Sequence, residues 1–226
     1  MCQSTQEANA TEWHLHIGGE IYSIGVETQT TLRERKKAET RATVLRVAHS
    51  FFEENGYSAT TVEEICAEAV ISKRTFFRYF PDKESLVFPN REERLANFVS
   101  FLEAGASSEE PFTTLRRATR LFGLEHGEHR APLLARQRLV MSSPNLLARE
   151  AEIDRDWERA IARIFAVRLA SVDDSELWSR VLAGAIIGVV RATMTFWFEG
   201  ECKDDLVRLG LHAIDFLERG FPVVTD

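Results

Sequence analysis

The sequence predicts an all-α fold, with a three-helix unit on the N-terminal side and a larger helical bundle behind it. Three observations carry this. Apolar residues recur at helical spacing, as in Val44, Val47, Ala48, Phe51 and Phe52. The stretch from Thr60 to Leu86 holds three helix-cap signals within one short motif. Six prolines and twelve glycines in 226 residues are too few for a many-turned β fold, while a hydrophobic fraction of 44% supports a real core. Counting the breaks gives about nine helices.

Residues 1–32 stand apart, with four acids and no bases. IYSIGVETQTT has β-branched character, but no partner strand appears later in the chain. The segment reads as a disordered or loosely attached arm outside the helical pattern. The composition break near residue 30 also raises the possibility of a start at Val26. From Arg33 a strong helical pattern runs to Asn55-Gly56, a stop signal. Its basic front, Arg33 to Lys37, is either a solvated face or an arm that reaches phosphates or a minor groove.

Thr61 followed by Glu64 forms a capping box ahead of Val62, Ile65, Cys66 and Ala69. Ser72 caps a helix over Lys73 to Phe80, which is too short to persist without packing. Phe76 and Phe80 share one of its faces, and Lys73, Arg74, Thr75, Arg78 and Tyr79 the other. Asp82 caps the next helix, expected to run from Lys83 to about Glu103. A loop is expected at Gly105 to Pro111. Further helices are expected at about 112–126, 132–141, 145–170, 174–199 and 203–220.

The net charge is −7. Residues 33–90 carry ten bases and nine acids, a local balance of +1. Contact with a polyanion is therefore confined to this unit, with the acidic remainder held away. Cys2, Cys66 and Cys202 are scattered, with neither metal spacing nor a disulfide framework. Cys66 falls on an apolar helix face, and the usage suits a reducing cytoplasm. The start lacks a basic n-region followed by an apolar core, so no signal peptide is expected. The longest apolar run, Val181 to Val190, is far short of a membrane span. The cluster Glu125-His126-Gly127-Glu128-His129 resembles a metal site only in composition, and no metal or cofactor is expected. There is no nucleophile elbow, phosphate-binding glycine loop or paired catalytic motif, so the chain does not read as an enzyme.

Two short helices joined by a tight turn, the second with a cationic and hydroxyl face, have the layout of a helix-turn-helix that enters a DNA major groove. Lys73, Arg74 and Thr75 begin the second helix and can reach base edges. Arg78, Tyr79 and Lys83 suit phosphates. From about Arg41 to Leu86 the chain resembles the TetR-type transcriptional regulators in a single register. ATVLRVAHSFFEENGYSATTVEEICAEA resembles their first two helices and Gly-Tyr-Thr-Thr connector. SKRTFFRYFPDKESL resembles their recognition helix and the entry to the next helix. The candidate DNA-binding set is therefore Arg41, Thr61, Lys73, Arg74, Thr75, Phe77, Arg78, Tyr79 and Lys83. Val70 stands where the family often has a turn glycine, so this turn either keeps an ordinary backbone or bears strain. Phe77 stands where a tyrosine commonly meets a phosphate, although Tyr79 can supply a hydroxyl from nearby.

The resemblance implies a homodimeric repressor whose C-terminal bundle, residues 87–226, encloses a small-molecule effector and forms the dimer. The DNA-binding unit would span residues 33–86. Residues 133–199 resemble regulators that respond to acyl-CoA or fatty-acyl ligands. Large apolar side chains in this half give the pocket candidates Phe122, Leu139, Met141, Trp157, Ile161, Phe165, Trp178, Met194 and Trp197. Arg191, embedded in an apolar helix, either meets an acidic ligand or pairs with an internal carboxylate. Gly184, Gly188 and Ala192, with Leu206, Leu209, Ala213 and Leu217, form stripes that would pair across the dimer as a four-helix interface. The rival reading is a helical small-molecule-binding or enzyme-like protein without a DNA role. The basic recognition face argues against it.

Overall fold

The computed structural model describes residues 15–17, 20–22, 31–106 and 110–220. Among them are nine α-helices: α1 (Leu32–Asn55), α2 (Val62–Glu68), α3 (Lys73–Tyr79), α4 (Arg91–Ala106), α5 (Pro111–Glu128), α6 (Arg130–Met141), α7 (Pro144–Arg168), α8 (Ser175–Glu199) and α9 (Leu206–Arg219). One antiparallel ribbon pairs β1 (Leu15–Ile17) with β2 (Glu20–Tyr22), Leu15 opposite Tyr22. The partner of the Ile21-Tyr22 segment thus lies before it, where a search further along the chain could not find it. Most of the arm expected over residues 1–32, and the possible start at Val26, lie outside the described residues.

The caps expected at Thr61 and Ser72 form, and Thr31 and Asp205 cap two further helices. Thr31 and Thr61 both close capping boxes, on Glu34 and Glu64. Ser72 Oγ accepts from Thr75 N at 3.1 Å, and Asp205 Oδ1 accepts from Arg208 N at 3.2 Å. Gly56 stops α1 with φ 80°, its N–H donating to Phe52 O at 3.0 Å. Each cap satisfies backbone groups that a helix end otherwise leaves open.

The boundaries differ in three places. The helix expected from Lys83 to Glu103 is interrupted. A single 3-10 turn spans Glu84–Leu86, and α4 begins only at Arg91. Pro89 lacks a donor and disfavours helix at Phe88, and Asn90 has φ 57°. Asp82 still caps, but it caps the turn: its Oδ1 accepts from Ser85 N at 2.8 Å. The break expected at Gly127 to Pro132 shrinks to His129, because Pro132 sits in the first turn of α6, where no intrahelical N–H is needed. The loop expected at Gly105 to Pro111 loses both ends to helices, and residues 107–109 lie outside the described residues.

Three apolar clusters form the interior of the described residues. The first packs Val44, Ala48 and Phe52 of α1 with Ile65 and Cys66 of α2, Phe76 and Phe80 at α3, and Leu86, Val87 and Phe88 beyond it. It also takes in Val140 of α6 and Leu146 of α7, so the N-terminal unit shares its core with the bundle. The second joins α4, α5, α7, α8 and α9 through Phe98, Leu115, Ile161, Phe165, Ile186 and Ile214. The third gathers Leu133, Trp197, Cys202 and Leu206. Each buried large side chain contributes about 1.5–3 kcal/mol relative to exposure.

Helices α5 and α9 cross closely. A Cβ on Gly210 would meet Thr119 Cγ2 at 2.6 Å, and one on Gly123 would meet Val207 Cγ2 at 2.9 Å. Arg116 of α5 clamps the same pair, donating to Asp215 at 2.7 Å and also to Glu218. By length and composition alone α8 could cross a membrane. Here it packs against α7 and α9.

Candidate nucleic-acid interface and effector region

The recognition helix α3 is held from below by Phe76 and Phe80, both fully buried, whose rings lie 5.5 Å apart. Its outer face carries Arg74, Phe77 and Arg78, all exposed. Arg74 makes no ion pair with any described residue, so its guanidinium is available. Lys73 is ion-paired with Glu63 of α2, both side chains remaining exposed. Thr75 Oγ1 lies 3.0 Å from the capping hydroxyl of Ser72. Arg78 stacks on the Tyr79 ring at 4.9 Å and donates to its hydroxyl at 3.2 Å.

Three other candidates have structural duties. The Thr61 hydroxyl donates to Glu64 Oε2 at 2.7 Å within the capping box. Lys83 Nζ donates to the carbonyls of Tyr57 at 2.7 Å and Thr60 at 2.8 Å, and lies 4.1 Å from the Tyr57 ring centroid. Burial lowers its pKa. Lys83, expected at a phosphate, is thus the tie that closes the α1–α2 connection, and its neighbour Glu84 accepts from Tyr57 Oη at 2.8 Å. Arg41 lies over Phe80 at 5.5 Å, with its pKa lowered by burial.

The turn between α2 and α3 answers the question that Val70 poses. Val70 has φ 54° and is 88% exposed. Val70 N donates to Ala67 O at 3.2 Å and Ile71 N to Cys66 O at 3.0 Å, the paired bonds of a Schellman ending. A β-branched residue therefore occupies the left-handed position that favours glycine. At the far end of the unit, α1 begins at Leu32, so the basic stretch Arg33 to Lys37 is helical and exposed.

In the bundle, the ten pocket candidates do not converge. Ile161 and Phe165 belong to the second cluster, with Phe122 and Trp157 packed against it. Trp197 is wholly buried in the third, its indole donating to Asp204 O at 3.0 Å, with Met194 alongside. Leu139 packs on the core of the DNA-binding unit. Met141 and Trp178 are 61% and 50% exposed. Arg191 is exposed and lies 3.9 Å from Asp154, which favours the internal-carboxylate option. Periodicity located these side chains on apolar faces but could not say which face meets which.

The grouping of five partly buried polar side chains in the bundle was not legible in the sequence, which offered Glu125 and His126 only as part of a metal-like cluster. Arg94 of α4, Glu125 and His126 of α5, Arg136 of α6 and Glu150 of α7 interact electrostatically. Burial and the nearby Arg136 bring Arg94 down to about 10. Burial and Arg94 bring His126 to about 4, and its Nδ1 bonds Phe122 O at 2.7 Å. Burial raises Glu125 and Glu150. The Glu125–His129 cluster holds no metal-binding group among the described residues.

The dimer candidates divide as well. Leu206 is buried within the subunit beside Trp197. Leu217 packs on the second cluster and Leu209 on the third, while Ala213 is half-buried. Gly210 of the same helix lies close against Thr119 of α5. On α8, a Cβ on Gly184 would meet Glu158 Oε1 of α7 at 3.4 Å, whereas one on Gly188 would meet nothing within 4 Å, and Ala192 is exposed. With Trp178, Val181 and Phe196, these last two leave one stripe of α8 open.

Comparison with known proteins matches residues 44–88 to the model of the bacterial regulatory proteins of the tetR family, and residues 109–222 to the MftR C-terminal domain. The HTH-type transcriptional regulator TcmR of Streptomyces glaucescens is 31% identical over 173 residues, covering 74% of this chain and 76% of the relative. The fatty acid degradation regulator FadR of Bacillus halodurans superposes with a TM-score of 0.58 at 19% identity, over 80% of this chain and 98% of that one. FadR of Bacillus subtilis, solved in complex with stearoyl-CoA, superposes with a TM-score of 0.54 at 21% identity, with the same coverage. The chain belongs to the TetR family of bacterial regulatory proteins and is a DNA-binding transcriptional regulator.

Proposed function

We propose that this protein is a cytoplasmic homodimeric repressor that leaves a pseudo-palindromic operator when an apolar or acyl-type effector enters the C-terminal bundle. The observation that carries the DNA reading is the outer face of α3. Arg74 projects from it with no ion pair to a described residue, and Phe76 and Phe80 anchor the helix behind it. Arg74 reads a base edge, and Arg78 with Tyr79 meets the backbone. Lys73 and Thr75 lie on the same face, but each is engaged locally. The basic start of α1 adds phosphate or minor-groove contacts. In this reading residues 33–86 form the DNA-binding unit and residues 87–226 the bundle that binds effector and dimerises.

The open stripe of α8 supports the dimer, with Gly188 and Ala192 permitting close approach and Trp178 and Phe196 supplying area. Two recognition helices about 34–36 Å apart would then address successive major grooves. The stearoyl-CoA held by the Bacillus subtilis FadR supports an acyl-type effector. The effector needs only to bind better, by a few kcal/mol, a dimer with the wrong spacing.

The test is binding to the DNA flanking the protein's own gene and to genome-selected fragments, across a salt series. Saturable binding to specific sequences, with a log–log salt slope of about −0.9 per neutralised phosphate, is expected. Weak binding that is equal for all fragments would overturn the reading.

A further inference from the structure

We propose that the effector site is built for an acidic amphiphile, its anionic group held between Arg94 and Arg136 and its apolar body lying on Phe98, Phe122 and Trp157. This deepens the ligand-responsive reading above and rests on it.

Arg94 of α4 and Arg136 of α6 are each partly buried, and Arg136 disfavours the charged form of Arg94. Neither guanidinium makes a hydrogen bond or close ion pair with a described residue, and the Nε of each is buried without a partner. Buried cations are normally paired, because removing a charge from water costs several kcal/mol. Glu125 and Glu150 face the same region and attract Arg94 and Arg136, but from beyond hydrogen-bonding distance, and burial raises the pKa of both. His126 is neutral near pH 7, so it adds no positive charge. An incoming carboxylate or phosphate can accept from both guanidiniums, the arrangement that arginine favours.

Helical spacing supplies the rest. Phe98 lies one turn beyond Arg94 on α4, and Phe122 one turn before His126 on α5. Trp157 lies two turns beyond Glu150 on α7. The Phe98 ring is 5.6 Å from Phe122 and 4.8 Å from Trp157, so an aromatic layer abuts the polar one. Arg136 also lies over Phe88 at 5.7 Å, and Phe88 belongs to the core of the DNA-binding unit. An anion that redirects Arg136 therefore acts on a residue already touching that core.

The test measures calorimetric binding of dodecanoate, dodecyl phosphate and dodecanol to the full-length protein and to Arg94→Met and Arg136→Met, alongside thermal unfolding without ligand. The acids are expected to bind the parent at least about tenfold more tightly than the alcohol, a preference of about 1.4 kcal/mol. Each variant is expected to lose that preference while unfolding at the same or a higher temperature, because an unpaired charge has gone. Arg94→Lys is expected to keep part of the preference. Equal affinity for acid and alcohol, failure of both acids to bind the parent, or a preference retained in both methionine variants overturns the inference. So does a lower unfolding temperature in both, which would make the arginines structural. Each of these failures leaves the regulator reading standing if the operator is still bound and released by some other ligand. Absence of specific DNA binding is what would sink that reading.

Discussion

Arg149 Nη2 stands 3.1 Å from Asp82 Oδ2, an ion pair that joins α7 to the turn following the recognition helix. Asp82 uses its other oxygen to cap Ser85, and Arg149 also pairs with Glu152 at 2.7 Å. One carboxylate thus shapes the exit from α3 and fixes that exit to the bundle. Beneath it, Val140 and Leu146 continue the shared core. The two side chains are 23% and 34% exposed, so the pair itself is worth about 0.5–1 kcal/mol. In a double-mutant cycle, Asp82→Ala should cost more than Arg149→Ala, because it also loses the cap, worth about 1 kcal/mol. A coupling energy of zero in urea unfolding would show that the pair does not fasten the two parts.

Val70 offers a stabilising change. A non-glycine residue in the left-handed region costs about 1–3 kcal/mol. Glycine returns part of that through the flexibility of the unfolded chain, about 0.4–1 kcal/mol. The side chain is exposed, so its loss removes no packing. Val70→Gly should therefore raise stability by about 1 kcal/mol, a rise of about 2–4 °C in Tm for a chain of this size. The check is thermal unfolding monitored by circular dichroism, and an unchanged or lower Tm would deny the strain.

Lys83 and Arg74 separate a structural cation from a reading one. Lys83→Met leaves two carbonyls of the α1–α2 connection without their donor, so it should cost about 1–3 kcal/mol of stability. The salt slope of operator binding should hardly change. Arg74→Ala should leave Tm and dimerisation unchanged and weaken operator binding by about 1–3 kcal/mol. Its discrimination between operator and unrelated DNA should fall with it. Equal operator affinity for Arg74→Ala and parent would remove Arg74 from base reading.

This pair also shows how much a sequence can carry. The caps at Thr61 and Ser72, the Phe76–Phe80 anchor and the stop at Gly56 depend on residues three or four apart, and all were legible. The long helix expected from Lys83 failed against a local signal that was present, Pro89. Lys83 itself was misplaced for a different reason. Its acceptors belong to Tyr57 and Thr60, more than twenty residues earlier, and only the fold brings them together. The same holds for Gly210, whose partner is Thr119, and for Arg94 and Arg136, which sit on different helices. Periodicity assigns a residue to a face, while the choice of opposing face belongs to tertiary packing.

His126 makes the stability of the bundle depend on pH in a predictable direction. Burial and the nearby Arg94 hold its pKa at about 4, against 6.5 for an ordinary imidazole, while Nδ1 bonds Phe122 O. Between those values the unfolded chain binds the proton and the folded one does not. The contribution is therefore complete above about pH 6.5 and is lost as the pH falls toward about 4, up to about 3 kcal/mol in all. Glu125 and Glu150 act with the opposite sign, because burial raises their pKa values and the folded state takes up protons sooner than the unfolded one. The difference between parent and variant isolates the imidazole. His126→Asn, whose amide can keep the bond to Phe122 O, should lose less stability than the parent over this window in urea titrations at stepped pH. Parallel pH profiles for the two proteins would mean that His126 does not enter the fold as a neutral, buried ring.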